Sequence, residues 1–157
     1  MPKQNTTYLH QFARVTRWYG RLKEVNSGTR HDRDTDFYED ELYAFFMNCY
    51  HLKDWIKADS NLRATRKGRD VGDAVRTNIY MQACEGICNG EKHFGAPRNK
   101  AKPTPRLQSA HFKIDISQGT IAIDYNIDTG GTLGTMQAFD LATKCLDFWD
   151  NYIAHLR

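Results

Sequence analysis

Asp36-Phe37-Tyr38-Glu39-Asp40-Glu41-Leu42-Tyr43-Ala44-Phe45-Phe46-Met47-Asn48-Cys49-Tyr50-His51-Leu52-Lys53-Asp54-Trp55-Ile56-Lys57 carries the cleanest apolar stripe in the chain. Tyr38, Leu42, Phe45, Cys49, Leu52 and Ile56 recur at steps of four and three, which places them on one face of an α-helix. Asp36 with Glu39 three residues later fits a variant of the capping box, and Asp40 and Glu41 suit the positive end of the helix dipole. The spacing predicts an end near Lys57. Asn48, His51 and Trp55 fall together on the flank of this helix.

A helix with one buried stripe needs partners, and the sequence offers three more. Tyr8, Phe12, Val15, Tyr19 and Leu22 predict a first helix over about 6–25, with His10, Arg14, Arg17 and Arg21 stepping along nearly the opposite face. Val71, Val75, Ile79, Ala83 and Ile87 step by four and predict a third helix over about 70–88. Met136, Phe139, Leu141, Ala142, Cys145, Leu146, Trp149, Tyr152 and Ile153 predict a last helix over about 135–156.

Between the third and last helices the period changes from 3.6 to 2. Phe112, Ile114 and Ile116 alternate with polar residues, Ser117-Gln118-Gly119 turns the chain, and Ile121, Ile123, Tyr125 and Ile127 alternate again. A lone hairpin is marginal in water, so it must lie against the helices. The expected fold is mainly α: a four-helix bundle with a two-stranded β-hairpin inserted between helices 3 and 4.

The chain of 157 residues fits a single domain, 1–157, long enough to bury a core. There is no internal repeat. Residues 95–106 hold three prolines, four basic residues and no acid, and read as a mobile basic loop. No window approaches the roughly 18 uninterrupted apolar residues of a membrane span. The first residues lack the apolar core of a signal peptide, so a cytoplasmic location without membrane contact is expected. Cys49, Cys84, Cys88 and Cys145 each lie within an apolar helical pattern, as reduced core residues do.

The net charge of +3 is unevenly spread. Residues 57–106 hold 11 basic and 5 acidic groups, whereas residues 1–56 balance at 8 and 8. An anionic partner is therefore expected at the middle of the chain. Lys92, Arg63, Arg66, Lys67 and Arg69, with Arg14, Arg17 and Arg21 of the first helix, are the expected phosphate contacts. The plainer account of exposed arginines is a solvated helix face.

The run Cys84-Glu85-Gly86-Ile87-Cys88-Asn89-Gly90-Glu91-Lys92-His93 closes the third helix with an amide, a lysine and an imidazole. His93 can give or take a proton near neutral pH, Asn89 four residues earlier can orient it, and Lys92 can hold a phosphate. The same residues also serve simply to end a helix. His51, with Asp54 three residues away, is the next candidate, brought near Asn89 or His93 if the second and third helices pack together. Cys84, Cys88 and His93, joined by Cys49 or His51, form an alternative set of zinc ligands. Cys-x-x-x-Cys on a regular helix is not the usual knuckle spacing, and no metal or other cofactor is expected.

Cys88-Asn89-Gly90-Glu91-Lys92-His93 resembles the motif of HEPN-domain proteins, in which an arginine, often followed by asparagine, precedes a histidine by a short spacer. The resemblance implies a helical bundle and a metal-independent endoribonuclease working as a homodimer, two motifs facing each other across a composite cleft. It implies proton transfer by His93 and orientation by Asn89. The chain departs from the family at Cys88, where the arginine would stand, because a thiol supplies no fixed cationic fork. An RNA-binding or RNA-processing protein with impaired catalysis follows. The chain is also similar, more broadly, to small uncharacterised bacterial and phage proteins with His-Leu-Lys-Asp-Trp-like blocks, which implies a phage or bacterial-defence setting. The rival expectation is a non-catalytic module that binds a protein partner, which the cysteine at 88 favours.

Overall fold

The computed structural model describes residues 7–30, 32–62, 65–92 and 105–156, with side chains up to Gly90 in the third of these segments. In chain order the elements are α1 (Tyr8–Ser27), β1 (Thr29–Arg30), α2 (Thr35–Ala58), α3 (Arg66–Thr77), α4 (Ile79–Lys92), β2 (Arg106–Asp115), β3 (Thr120–Asp128), β4 (Thr135–Gln137) and α5 (Ala138–Ala154). The protein is mainly helical with a small antiparallel sheet. The expected 95–106 loop falls largely outside the described residues.

Helix α2 is the axis of the fold. It packs on α1, α3, α4 and α5, and Phe45, Phe46, Cys49, Leu52 and Ile56 along it are wholly buried. Each large apolar side chain buried this way contributes about 1.5–3 kcal/mol relative to exposure. Trp149 of α5 reaches into this core, and its indole N–H, which needs an acceptor once buried, donates to the Cys49 carbonyl at 3.0 Å. Helix α2 starts earlier than the capping-box reading placed it: Asp34 is the N-cap, its Oδ1 accepting from Phe37 N–H at 3.0 Å.

Two expectations about the architecture are corrected. The single helix over 70–88 is two helices, so there are five helices among the described residues. The break falls at Asn78, whose extended backbone (φ −89°, ψ 124°) ends α3. The Asn78 Oδ1 accepts from Tyr80 N–H and Met81 N–H at 3.0 and 3.1 Å, which caps the start of α4. Gln82 Nε2 donates to the Arg76 carbonyl at 2.8 Å and satisfies an acceptor left open by the end of α3. Of the expected stripe only Ile79, at the break, is exposed; Ala83 and Ile87 are buried in α4 together with Met81, Cys84 and Cys88.

The second correction concerns the sheet. The predicted hairpin is present as β2 and β3, paired antiparallel from Arg106↔Asp128 to Asp115↔Thr120. However, β3 also pairs with β1 (Thr29↔Ile121) and with β4 (Asn126↔Gln137), which makes four strands. Gly28, at φ 121°, turns the end of α1 into β1, a conformation side chains rarely adopt. Residues 135–137, expected as the first turn of the last helix, are strand β4. Helices α1 and α5 cover β3, burying Ile121, Ile123, Tyr125 and Ile127. Strand β2 extends past that cover.

Candidate functional site

A groove of about 460 Å³ runs where α3, α4 and α5 meet, lined by Lys67, Asn78, Tyr80, Lys144, Asp147, Phe148, Asn151, Tyr152 and His155. Its α5 wall follows from helical spacing. Residues 144, 147, 148, 151, 152 and 155 repeat at three and four, so Lys144, Phe148, Tyr152 and His155 stand on one face. The Phe148 and Tyr152 rings lie nearly parallel, 21° apart with centroids at 5.9 Å. Lys144 Nζ stands 5.8 Å from the centre of the Tyr80 ring on the facing helix.

The base of α3 is tied to the end of α5 at this groove. Tyr152 Oη donates to the Lys67 carbonyl, and Lys67 Nζ donates to the His155 carbonyl. Burial, and then the nearby Asp70, push the Tyr152 phenol up, which keeps it a donor. The His155 ring lies 2.6 Å through Nδ1 from the Asn151 carbonyl. That carbonyl only accepts, so in this contact Nδ1 is the donor. The result is a concave surface with flat aromatic walls, two ammonium groups, one carboxylate (Asp147) and one imidazole.

Of the expected site residues, Lys67 lines this groove. Arg66 is exposed nearby on α3 and is paired with Asp70 through Nε at 3.3 Å; Arg69 is also exposed. Arg63 and His93 lie outside the described residues, as does the Lys92 side chain. Asn89 is exposed near the end of α4.

The α1 stripe is exposed as expected, and much of it is engaged. His10 Nδ1 accepts from Thr7 N–H at 3.1 Å. Arg14 donates to Gln11 Oε1 at 2.6 Å and lies 6.0 Å from the Trp55 ring centre, while Arg21 sits 4.4 Å over Trp18. Burial pushes the Glu41 carboxyl up against the opposing pull of Arg21. Gln11, buried in the α1–α2 seam, donates to Asn48 through both its carbonyl and its side-chain oxygen.

Asn48 and Trp55 therefore turn toward α1. Helix α4 meets a different side of α2, through Phe46, Cys49 and Tyr50. Burial and then Glu85 of α4 push the Tyr50 phenol up. His51 stands about 100° from Tyr50 and about 160° from Cys49 around the helix. It is exposed, away from the α4 seam.

The four cysteines are buried and unbridged. The Sγ atoms of Cys49, Cys84 and Cys145 lie within 4.8 Å of one another, a group that the expected zinc set did not contain. Cys84 and Cys88 both place Sγ 3.3 Å from the Phe46 carbonyl. Burial, in a setting of neighbouring thiols, drives Cys84 and Cys145 well up. Burial opposes ionisation of Cys49 as well, but contacts from the Cys145 and Cys84 thiols and from Trp149 bring it down.

Sequence reasoning read Tyr152 as core and passed over Tyr80, Lys144, Phe148 and His155, which come together only where α3, α4 and α5 meet. The usable signal was the alternation of those rings with Lys144, Asp147, Asn151 and His155 on one face of α5. No protein-family model matches the chain, and comparison with curated proteins and with solved structures returns no match.

Proposed function

We propose that the protein binds single-stranded RNA, seating a base against the Phe148, Tyr152 and Tyr80 rings and the adjoining phosphates against Lys144 and Lys67. The observation that carries this reading is the groove itself, which combines near-parallel aromatic rings with two ammonium groups. Single strands are held by stacking and by cationic tracking of the backbone, and aromatic faces accept any base. The basic middle of the chain supplies Lys67 and the neighbouring Arg66 and Arg69. The HEPN resemblance supports the same class of ligand. Cleavage by His93 is the further step that the resemblance implies, and His93→Ala tests it separately from binding.

The test is fluorescence anisotropy with a generic oligoribonucleotide across a salt series. Phe148→Ala is expected to weaken binding by about 1–3 kcal/mol, the worth of one stacked base. Lys144→Ala is expected to weaken binding and to flatten the slope of log affinity against log salt by about 0.7. Wild-type affinity and slope in both variants would overturn the reading.

The second reading, a module that docks a protein, is favoured by a different observation. Phe112 and Ile114 of β2 are 48% and 68% exposed, although their cross-strand partners Ile123 and Ile121 are buried. Exposed apolar side chains beside a strand edge mark a place where another chain can add a strand. RNA binding that survives Ile114→Lys, together with loss of a protein partner, would separate the two.

A further inference from the structure

Cys49, Cys84 and Cys145 come from three helices and from distant parts of the sequence, yet their sulfurs converge in the core. All three residues are 0% exposed, and their Sγ atoms lie within 4.8 Å of one another. We propose that these three thiols are the ligands of a thiophilic closed-shell cation, Zn²⁺ or Cu(I), that pins α2, α4 and α5 together. This site is distinct from the RNA groove and does not rest on the reading given to it. It departs from the sequence-based expectation of no metal, which weighed Cys84 with Cys88 and His93 and left Cys145 out.

Each cysteine alone packs as a small apolar group, which explains burial but not convergence. The donor set is sulfur only, which selects soft cations and excludes calcium and magnesium. The distances are close to those a metal needs. Zn–S bonds of about 2.3 Å put tetrahedral sulfurs about 3.8 Å apart, so the three thiols close by at most about 1 Å. The helices hold the three Cα positions, so that adjustment is left to side-chain rotation. Trp149, donating to the Cys49 carbonyl, fixes the turn of α2 that carries the first ligand.

The present sulfur contacts give way readily. Cys84 and Cys145 reach the Phe46 and Tyr80 carbonyls at 3.3 and 3.6 Å, contacts typical of weak thiol donors. On binding, each ligating thiol releases its proton to solvent and the sulfur lone pair forms the metal bond. No cationic side chain is among the buried described residues, so the ion alone offsets the thiolate charge, two of the three charges for Zn²⁺ and one for Cu(I). Cys88, one helical turn beyond Cys84 and 7% exposed, is a further thiol of α4 that a fourth position can draw on. A site this enclosed loads as the chain folds or opens, which couples metal to stability.

The experiment uses the full chain, reduced, freed of metal by chelation and kept anaerobic. Co²⁺ is titrated first, then displaced by Zn²⁺, and Cu(I) is titrated in a parallel sample. The expected result is saturation at about one ion per chain, with a thiolate-to-cobalt charge-transfer band that Zn²⁺ abolishes. Retention of one ion in the Zn²⁺ arm or the Cu(I) arm decides which cation is native. Cys145→Ala is expected to weaken binding by roughly 100-fold or more, exceeding the loss usual for outer residues of metal sites. Because that core variant risks unfolding, the wild type supplies a second readout. Saturating metal is expected to raise its thermal midpoint by roughly 5–10 °C, reversed by chelator. No charge-transfer band and no thermal shift, or a band unchanged in a folded Cys145→Ala chain, would overturn the proposal.

Discussion

At Gly68, the third residue of α3, an added Cβ would fall 2.1 Å from the Leu62 carbonyl oxygen and 2.8 Å from its carbon. Both are backbone atoms and cannot swing aside. The position is also tied by a hydrogen bond from Gly68 N–H to Thr65 Oγ1 at 3.0 Å, so α3 begins in direct contact with the turn before it. Ordinarily alanine improves a helix over glycine by up to about 1 kcal/mol. Here the sign reverses, and Gly68→Ala is expected to destabilise by about 1–3 kcal/mol. Gly20 of α1 is the control, because nothing lies within 4 Å of its added Cβ. Gly20→Ala should gain about 0.5–1 kcal/mol. Denaturant midpoints at unchanged slope measure both, and a stabilised Gly68→Ala chain would show the contact to be absent. Neither value was legible in the sequence, where the two glycines look alike, since the difference lies in what approaches from outside the helix.

At the scale of elements, long periodic segments were readable and their interruptions were not. The stripe from Tyr38 to Ile56 gives α2 because six apolar residues agree on one face. The Val71–Ile87 run also steps by four, yet it is broken at Asn78, whose side chain accepts from the two amides that open α4. Asn78→Ala removes both hydrogen bonds and is expected to cost about 1 kcal/mol, within the usual range for helix caps, as thermal unfolding would show. Strands β1 and β4, of two and three residues, are too short to carry a period and exist only because β3 offers partners. The β2–β3 turn is held by Asp115, whose Oδ1 accepts from Ser117 Oγ at 2.6 Å, Ser117 N–H at 3.0 Å and Gln118 N–H at 3.2 Å. The Ser117 hydroxyl first, then the Gln118 amide, pull the Asp115 carboxyl below its ordinary value. A carboxyl depressed in the folded state contributes stability above its unfolded value of about 3.9, lost as pH falls through the folded one. Turn resonances followed by NMR from pH 5 downward should therefore loosen only below about pH 4. Asp115→Asn should remove that dependence, and turn loosening well above pH 4 would contradict it.

Taken whole, the molecule is asymmetric: helices packed around α2, one sheet, and cover that stops at β3. The alternation of Phe112, Ile114 and Ile116 with polar residues reads like a core-facing strand, and the strand is there. What sequence could not say is how far the helices reach, because coverage is set by the packing of α1 and α5 rather than by anything local to β2. The site was half legible for the same reason. Lys67 stood out by charge, whereas the groove exists only where α3, α4 and α5 meet. The asymmetry predicts a gradient of protection across one hairpin. Ile123, 2% exposed, faces the helices, while Ile114, 68% exposed, faces nothing that the described residues supply. Ile123→Ala should cost about 2–5 kcal/mol, and Ile114→Ala should stay within about 0.5 kcal/mol. Native-state hydrogen exchange reads the same contrast in the backbone. Amides of β3 that bond to β2, and those at its two ends that bond to β1 and β4, should exchange only through global opening, whereas β2 amides that point away from β3 should exchange through local fluctuations. Equal protection of the outward β2 amides in the isolated chain would mean that the edge is already covered, by a second copy or from within the chain. Dilution then decides it: protection lost as concentration falls identifies that copy, and protection that persists requires cover from within the same chain.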